Sequence, residues 1–124
     1  MSSNKKILVL FLIVLMMPIA ALAQGFTLFS DTEPGDLCPG ATGIYTEVVR
    51  NDGDDFLSLT ISSSGSASSF STTVPQGTTL YPGQSKTIYT YVTPRSSTTP
   101  GTYSLKIAAN ANGETQEIEH DILV

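Results

Sequence analysis

Apolar and polar side chains alternate along most of the chain after residue 24, and a period of two residues is typical of half-buried β-strands. No stretch of this region has the spacing of an amphipathic helix. Pro-Gly, Asp-Gly and Asn-Gly pairs separate the alternating runs and predict tight turns between strands. The three most regular runs have as one face Leu57, Leu59 and Ile61; Ile88, Thr90 and Val92; and Tyr103, Leu105, Ile107 and Ala109.

Less regular runs predict the remaining strands. Residues 25–31 carry apolar side chains on both faces, which is expected of an edge strand that crosses between two sheets. In residues 42–51 alternation does not decide which face is buried, because Glu47 shares a face with Tyr45. The other two predicted strands are residues 70–74 and 114–124, and one face of the last contains Ile118, His120, Ile122 and Val124.

About seven strands in about 100 residues predict an all-β domain, a single immunoglobulin-like antiparallel β-sandwich. The runs at 80–94 and 100–107 are predicted to be neighbouring strands, since each is introduced by a Pro-Gly turn. Tyr89 and Tyr91 point away from the apolar face and are expected on a solvated sheet face or a contact surface. The Ser-rich residues 62–69 are predicted to form a mobile surface loop without any anchoring side chain.

The first residues have the organisation of a secretory leader. Two lysines precede an apolar run from Ile7 to Met17, Pro18 follows, and Ala21-Leu22-Ala23 offers small residues before a cleavage point at Gln24. We therefore expect a signal-peptide helix at 1–23 and the sandwich domain at 24–124. A retained membrane anchor is the alternative, because the apolar stretch is close to the shortest length that spans a bilayer.

Charge restricts the classes of partner. The chain has 11 acidic and 6 basic residues, and removal of the leader with Lys5 and Lys6 would leave four basic residues and a net charge of −7. Nucleic acid and anionic membrane surfaces are therefore poor partners, and membrane contact is expected only through an uncleaved leader. The leader predicts an exported protein, extracellular, periplasmic or at the cell surface.

Few residues offer chemistry. Cys38 is the only cysteine, so no internal disulfide forms, and it is expected to be a small, half-buried residue at a strand start; the alternative is an intermolecular bridge. His120 is the only histidine and is expected near an open end of the sandwich. Neither a catalytic triad nor a histidine-based metal cluster follows from the two residues, although a Cys38, His120 and Asp arrangement would make the chain a small secreted hydrolase.

The composition offers a candidate ligand site and a candidate modification site on the surface. Asp52, Asp54 and Asp55 surround a glycine and form a candidate calcium site, for which a solvated acidic turn is the simpler interpretation. The Ser- and Thr-rich residues 62–73 are a candidate for O-linked sugar, whereas Asn-x-Ser/Thr acceptors are absent. No catalytic, cofactor-binding or metal residue is assigned beyond these.

Three segments carry a resemblance to a known group: Cys38-Pro39-Gly40 followed by Val49-Arg50-Asn51-Asp52-Gly53, Leu80-Tyr81-Pro82-Gly83 followed by Val92-Thr93-Pro94, and Pro100-Gly101-Thr102-Tyr103-Ser104-Leu105. In these the chain resembles the prokaryotic immunoglobulin-like modules of the alpha-galactosidase-associated and CARDB-like group. The resemblance implies a spacer, adhesive or accessory domain without catalytic residues.

The expected function is therefore that of an exported, non-catalytic module with a structural, adhesive or carbohydrate-contacting role at the cell surface. Its partner would be a protein, a carbohydrate surface or a second copy of the chain. An alternative is a self-assembling filament or surface-layer subunit, in which residues 24–33 or the C-terminal strand complete the sheet of a neighbouring copy.

Overall fold

The computed structural model describes residues 25–124, which form two antiparallel four-stranded sheets packed face to face. The strands are β1 (Phe26–Thr32), β2 (Gly43–Asn51), β3 (Leu57–Ser64), β4 (Ser71–Val74), β5 (Gly77–Leu80), β6 (Ser85–Val92), β7 (Thr102–Ala111) and β8 (Glu114–Leu123). Sheet A has the strand order β1-β2-β6-β4, and sheet B has the order β5-β3-β7-β8. The all-β sandwich is confirmed, with eight strands instead of about seven.

The leader and its cleavage point lie outside the described residues. Within residues 25–124 there is no helix with the length and apolar character needed to cross a membrane.

The core lies between the sheets, and the three regular alternations predicted it correctly. Their inward residues are buried apart from Tyr103, which is half-buried and packs edge-to-face against Phe70 with ring centroids 5.5 Å apart. The structure also decides the face of β2, where Tyr45, Glu47 and Val49 are buried. A carboxylate therefore occupies a core position between two apolar neighbours.

The prediction that the runs at 80–94 and 100–107 form neighbouring strands is wrong. β6 pairs with β2 and β4 in sheet A, whereas β7 pairs with β3 and β8 in sheet B. The polar connection from Thr93 to Gly101 passes from one sheet to the other. Consecutive strands of a sandwich commonly lie in opposite sheets, because each sheet then buries its apolar face against the other.

The Ser-rich segment 62–69 is anchored, contrary to the prediction. β3 continues to Ser64, and Ala67 is fully buried with its N–H donating to the carbonyl of Ser104 at 2.9 Å. At Gly65 the backbone has φ +98°, and an added Cβ would lie 2.4 Å from the same carbonyl oxygen. A small residue and a glycine therefore hold the segment through close backbone contact, where no large side chain is needed.

β1 is an edge strand as predicted, but it does not cross between the sheets. It pairs with β2 from Phe26 to Thr32 within sheet A. Its free edge is bound by Gln116 of β8, whose Oε1 accepts from the N–H of Leu28 at 2.9 Å and whose Nε2 donates to the carbonyl of Phe26. The side-chain amide thus makes the two contacts that another strand would make, and it ties sheet A to sheet B.

Candidate functional site

His120 lies on the inward face of β8 and is buried between the sheets, with 3% of its surface exposed. It is therefore a core residue, and its expected position near an open end of the sandwich stays a prediction. Its Nδ1 is 2.8 Å from Oε1 of Glu33, which follows β1, and its Nε2 is 2.7 Å from Oε1 of Glu47 on β2. The ring of Tyr45 packs against the imidazole, with centroids 4.6 Å apart. The cluster therefore connects β8 to both β2 and the segment after β1.

The geometry favours a doubly protonated His120. A carboxylate oxygen lies within hydrogen-bond distance of each ring nitrogen, and a charged imidazole can donate to both carboxylates at once. Burial lowers the pKa of His120, but its hydrogen bonds and charge interactions with Glu47 and Glu33 prevail and raise that pKa above its ordinary value. Burial, followed by the charges of Glu33 and Glu47, raises the pKa of Tyr45.

This arrangement gives His120 a structural role. Each ring nitrogen faces a carboxylate at 2.7 or 2.8 Å, and neither faces a nucleophile. Cys38 is exposed in the connection between β1 and β2, whereas His120 is buried and bonded to Glu33 and Glu47. The structure therefore does not bring together the Cys38 and His120 arrangement considered from the sequence.

The prediction that Cys38 is half-buried is wrong because its neighbour takes the buried position. Leu37 is 7% exposed, and its N–H donates to the carbonyl of Leu123 on β8 at 2.9 Å. A Cβ added to Gly43 would lie 2.6 Å from Leu37 Cδ2, so the glycine makes room for this leucine. With Leu37 turned inward, the thiol of Cys38 faces solvent.

In the acidic turn after β2, Asp52 forms hydrogen bonds with neighbouring side chains. Asp52 accepts from Arg50 Nε at 2.6 Å and from the hydroxyl of Thr27, and these hydrogen bonds, that of Thr27 first, lower the pKa of Asp52. Asp54 and Asp55 are exposed. In the described part of the chain, no three His, Cys, Asp or Glu side chains come close enough to hold a metal ion. The geometry therefore lends no support to calcium at Asp52, Asp54 and Asp55.

The outer side of sheet A is a second feature, here termed the tyrosine face. Tyr89 and Tyr91 stand on β6 with 42% and 40% of their surfaces exposed, and their rings are 6.5 Å apart at 22°. In the strand register Ile44 is opposite Tyr91, and Val74 is opposite Tyr89. The complete tyrosine face consists of Phe29, Ile44, Val48, Val74, Tyr89 and Tyr91. The tyrosine pair is exposed as predicted, and the structure adds the apolar residues around it.

The third feature is a cleft of about 390 Å³ between the edges of β3 and β4. It exists because β5 pairs with β3 only over Leu57–Thr60. The residues just before β5 belong to sheet A as β4, so the rest of β3 has no strand on this side. Ile61 lies in its lining, and the other lining residues are Ser62, Ser63, Ser71, Thr72, Thr73 and Gln76.

The polar groups of the cleft fall into two sets. Ser71 Oγ donates to the carbonyl of Ala67 at 2.7 Å, and the hydroxyl of Thr73 is hydrogen-bonded to that of Thr90 at 3.0 Å. In contrast, the side chains of Ser62, Ser63, Thr72 and Gln76 make no hydrogen bond to any other residue in the range 25–124. Runs of hydroxyl residues are a weak signal of the cleft in the sequence, because its lining comes from two segments that only the fold brings together.

No protein-family model matches this chain, and no curated protein matches its sequence. Solved structures do share its fold. A family 123 glycoside hydrolase from Clostridium perfringens is similar over 82% of this chain and 27% of its own, with a TM-score of 0.72 and 9% identity. This chain thus spans about a quarter of that hydrolase.

Two other similar structures match over most of their own length. A FixG-related protein from Vibrio parahaemolyticus has a TM-score of 0.60 and 14% identity, covering 80% of this chain and 94% of that one. A conjugative transposon lipoprotein from Bacteroides eggerthii has a TM-score of 0.52 and 16% identity, covering 81% and 98%. At these identities the likeness establishes the fold alone, an immunoglobulin-like β-sandwich.

Proposed function

We propose that this chain is an exported, non-catalytic accessory module of the alpha-galactosidase-associated and CARDB-like group, which adheres at the cell surface through the tyrosine face. Residues 1–23 act as its signal peptide. The observation that carries the proposal is the collection of exposed aromatic and apolar side chains on one sheet face, around Tyr89 and Tyr91.

The composition of this face supports contact with another surface. Single exposed apolar residues are ordinary on proteins, whereas a contiguous group on one sheet face is typical of an interaction site. The charged residues on the same side of sheet A, Asp31 and Arg50, stand at the margins of the tyrosine face, on the outer strand β1 and at the end of β2. Tyrosine is well suited to such a face because its ring is apolar and its hydroxyl can hydrogen-bond.

The state of the titratable groups supports a non-catalytic role. His120 is buried with a carboxylate at each ring nitrogen, Glu47 in the core and Glu33 at the surface, and Cys38 lies on an exposed loop. The similar structures are consistent with an accessory role, since the fold occurs both as a fraction of a glycoside hydrolase and as nearly the whole of a lipoprotein.

Co-sedimentation with cell envelopes tests the proposal. The full-length chain, expressed with its leader, is mixed with envelopes isolated from the source organism. We expect the protein to sediment with them and a Tyr89→Ser/Tyr91→Ser variant to remain in solution. A Phe56→Ser/Tyr81→Ser variant is the matched control, because it removes an exposed aromatic pair that lies outside the tyrosine face.

Export is tested by sequencing the N-terminus of the secreted protein, which we expect to begin at Gln24. The contact proposal is wrong if the unaltered protein stays in solution, or if both double variants sediment as well as it does.

A further inference from the structure

The cleft between β3 and β4 has the size of a binding site for a small molecule. Its volume of about 390 Å³ lies within the range of roughly 300–1,000 Å³ found for such sites. Four of its side chains, Ser62, Ser63, Thr72 and Gln76, have no hydrogen bond to other residues within the described range. The cleft therefore offers donors and acceptors that a ligand can use.

The lining selects an uncharged ligand. It consists of hydroxyl groups, one side-chain amide and one isoleucine, with no acidic or basic side chain. A serine or threonine hydroxyl both donates and accepts, and a glutamine amide does the same with separate atoms. A charged ligand would lose hydration without finding an opposite charge. A ligand with many hydroxyls finds matching groups on every side.

The cleft also adjoins the tyrosine face. Thr72 lines the cleft, and in the register of β4 with β6 it stands opposite Tyr91, which in turn stands opposite Ile44 on β2. A ligand that leaves the cleft past Thr72 therefore reaches the tyrosine rings. Aromatic rings pack well against the apolar faces of other rings, while the tyrosine hydroxyls can still bond polar groups.

We propose that the cleft binds one unit of a neutral saccharide and that the following units lie across Tyr91 and Tyr89. This inference rests on the proposed function, because the saccharide would belong to the cell surface to which the tyrosine face adheres. It adds the chemical class of the ligand. The hydroxyls of Ser63 and Thr72 and the amide of Gln76 bond the first unit, and the tyrosine rings carry the next.

Two other occupants fit the structure less well. An added peptide strand needs a free edge and pockets for alternate side chains, but β4 has four residues and the lining has one apolar residue, Ile61. Two copies of the chain, each with an excess of acidic residues, would repel each other.

Binding to a glycan array, followed by a titration, tests the inference. The labelled full-length chain is applied to an array of neutral and acidic glycans, and the neutral oligosaccharide that binds best is titrated into the ¹⁵N-labelled protein. We expect shifts of the amide signals of residues 61–63, 71–74 and 76. A Ser63→Ala/Gln76→Ala variant should lose about tenfold or more in affinity, since each substitution removes a hydrogen bond.

A Tyr91→Ala variant should lose several-fold in affinity, because it removes the ring next to Thr72. The matched control is Ser58→Ala, which removes an exposed hydroxyl of β3 outside the cleft and should change affinity less than about twofold. Near-ultraviolet circular dichroism of each variant confirms that its fold is intact.

The inference is overturned if no neutral glycan binds, if only acidic glycans bind, or if the double variant binds as well as the parent. A dimer that dissociates in Tyr91→Ala, detected by light scattering, would show that a second copy is the occupant instead. If envelopes retain the protein through Tyr89 and Tyr91 but no neutral glycan binds, the proposed function stands and the saccharide inference fails. Neutral glycan binding in the cleft without envelope retention gives the opposite result.

Discussion

Replacing His120 with alanine is expected to destabilise the fold by roughly 3–5 kcal/mol, because it leaves a buried carboxylate without its positive partner. Glu47 is fully buried, and its Oε1 is 2.7 Å from His120 Nε2. Its Oε2 is also buried and has no hydrogen-bond partner in the described chain, so His120 provides the hydrogen bond that this side chain has. A small domain has a total stability of about 5–15 kcal/mol, so the loss is a large fraction of it.

The pH dependence of this loss follows from the pKa of His120. The fold raises that pKa above 6.5, so the native state holds the proton more tightly than the unfolded state does. The stabilisation is therefore complete below pH 6.5 and is lost as the pH rises through the raised pKa. We expect the cost of His120→Ala to be greatest near pH ~6 and to shrink towards pH ~9.

Urea unfolding at these two pH values, followed by tyrosine fluorescence, measures the cost. Glu119→Gln is the matched control, because Glu119 is a titratable residue on the solvent side of the same strand, and its replacement should stay within about 0.5 kcal/mol. The reasoning is refuted if His120→Ala costs less than ~1 kcal/mol near pH ~6, or if its cost grows with pH.

Three further variants test other parts of the structure. Leu105→Ala should cost about 2–5 kcal/mol in the same unfolding assay, and the exposed Leu123→Ala less than ~1 kcal/mol; equal costs would mean that the buried face is assigned wrongly. Because Cys38 is exposed, the oxidised parent should show a dimer band on a non-reducing gel that Cys38→Ser lacks, and a monomer band alone would contradict an accessible thiol. Gln116→Ala should speed hydrogen exchange at the amide of Leu28, whose N–H bonds Gln116 Oε1, whereas unchanged exchange would show that this contact does not protect the edge.

The sequence predicts those features of the fold that depend on burial alone. A strand with one buried face leaves a period of two in its side chains, so the inward residues of β3, β6 and β7 are recognisable. Pairing leaves no such mark, because the alternation within β6 and β7 is the same whichever sheet each joins. The short β5 was missed for a related reason, since Gly77–Leu80 has a single buried residue, Leu80.

The candidate sites depend on contacts between distant segments, which the sequence predicts poorly. Glu47 breaks the apolar pattern of its strand, and its partner His120 comes from the last strand of the chain. Glu47 alone indicates an exposed position, and His120, although it shares a face with apolar residues, does not reveal its partner. The pair became buried because the two charges satisfy each other. Asn51 was likewise predicted only as part of a turn. In the structure its Nδ2 donates to the carbonyls of Asp55 and Leu80, and it therefore ties the turn after β2 to the end of β5.

The two open sides of the sandwich are treated differently, and the difference bears on assembly. On one side Gln116 bonds the free edge of β1, Glu33 bonds His120, and Leu37 bonds the carbonyl of Leu123, so the segment after Gly25 is held along β8 at three points. Strand complementation by residues 24–33 would have to break the contacts of β1 and Glu33 before a neighbouring copy could gain any.

The opposite side of the sandwich has no such cover, since β4 is short and the edge of β3 past Thr60 borders the cleft. Unpaired edge groups attract ligands as well as strands, and this edge is too short for a stable added strand. The structure therefore favours a single module whose available polar edge receives a small ligand over a subunit that exchanges its N-terminal strand.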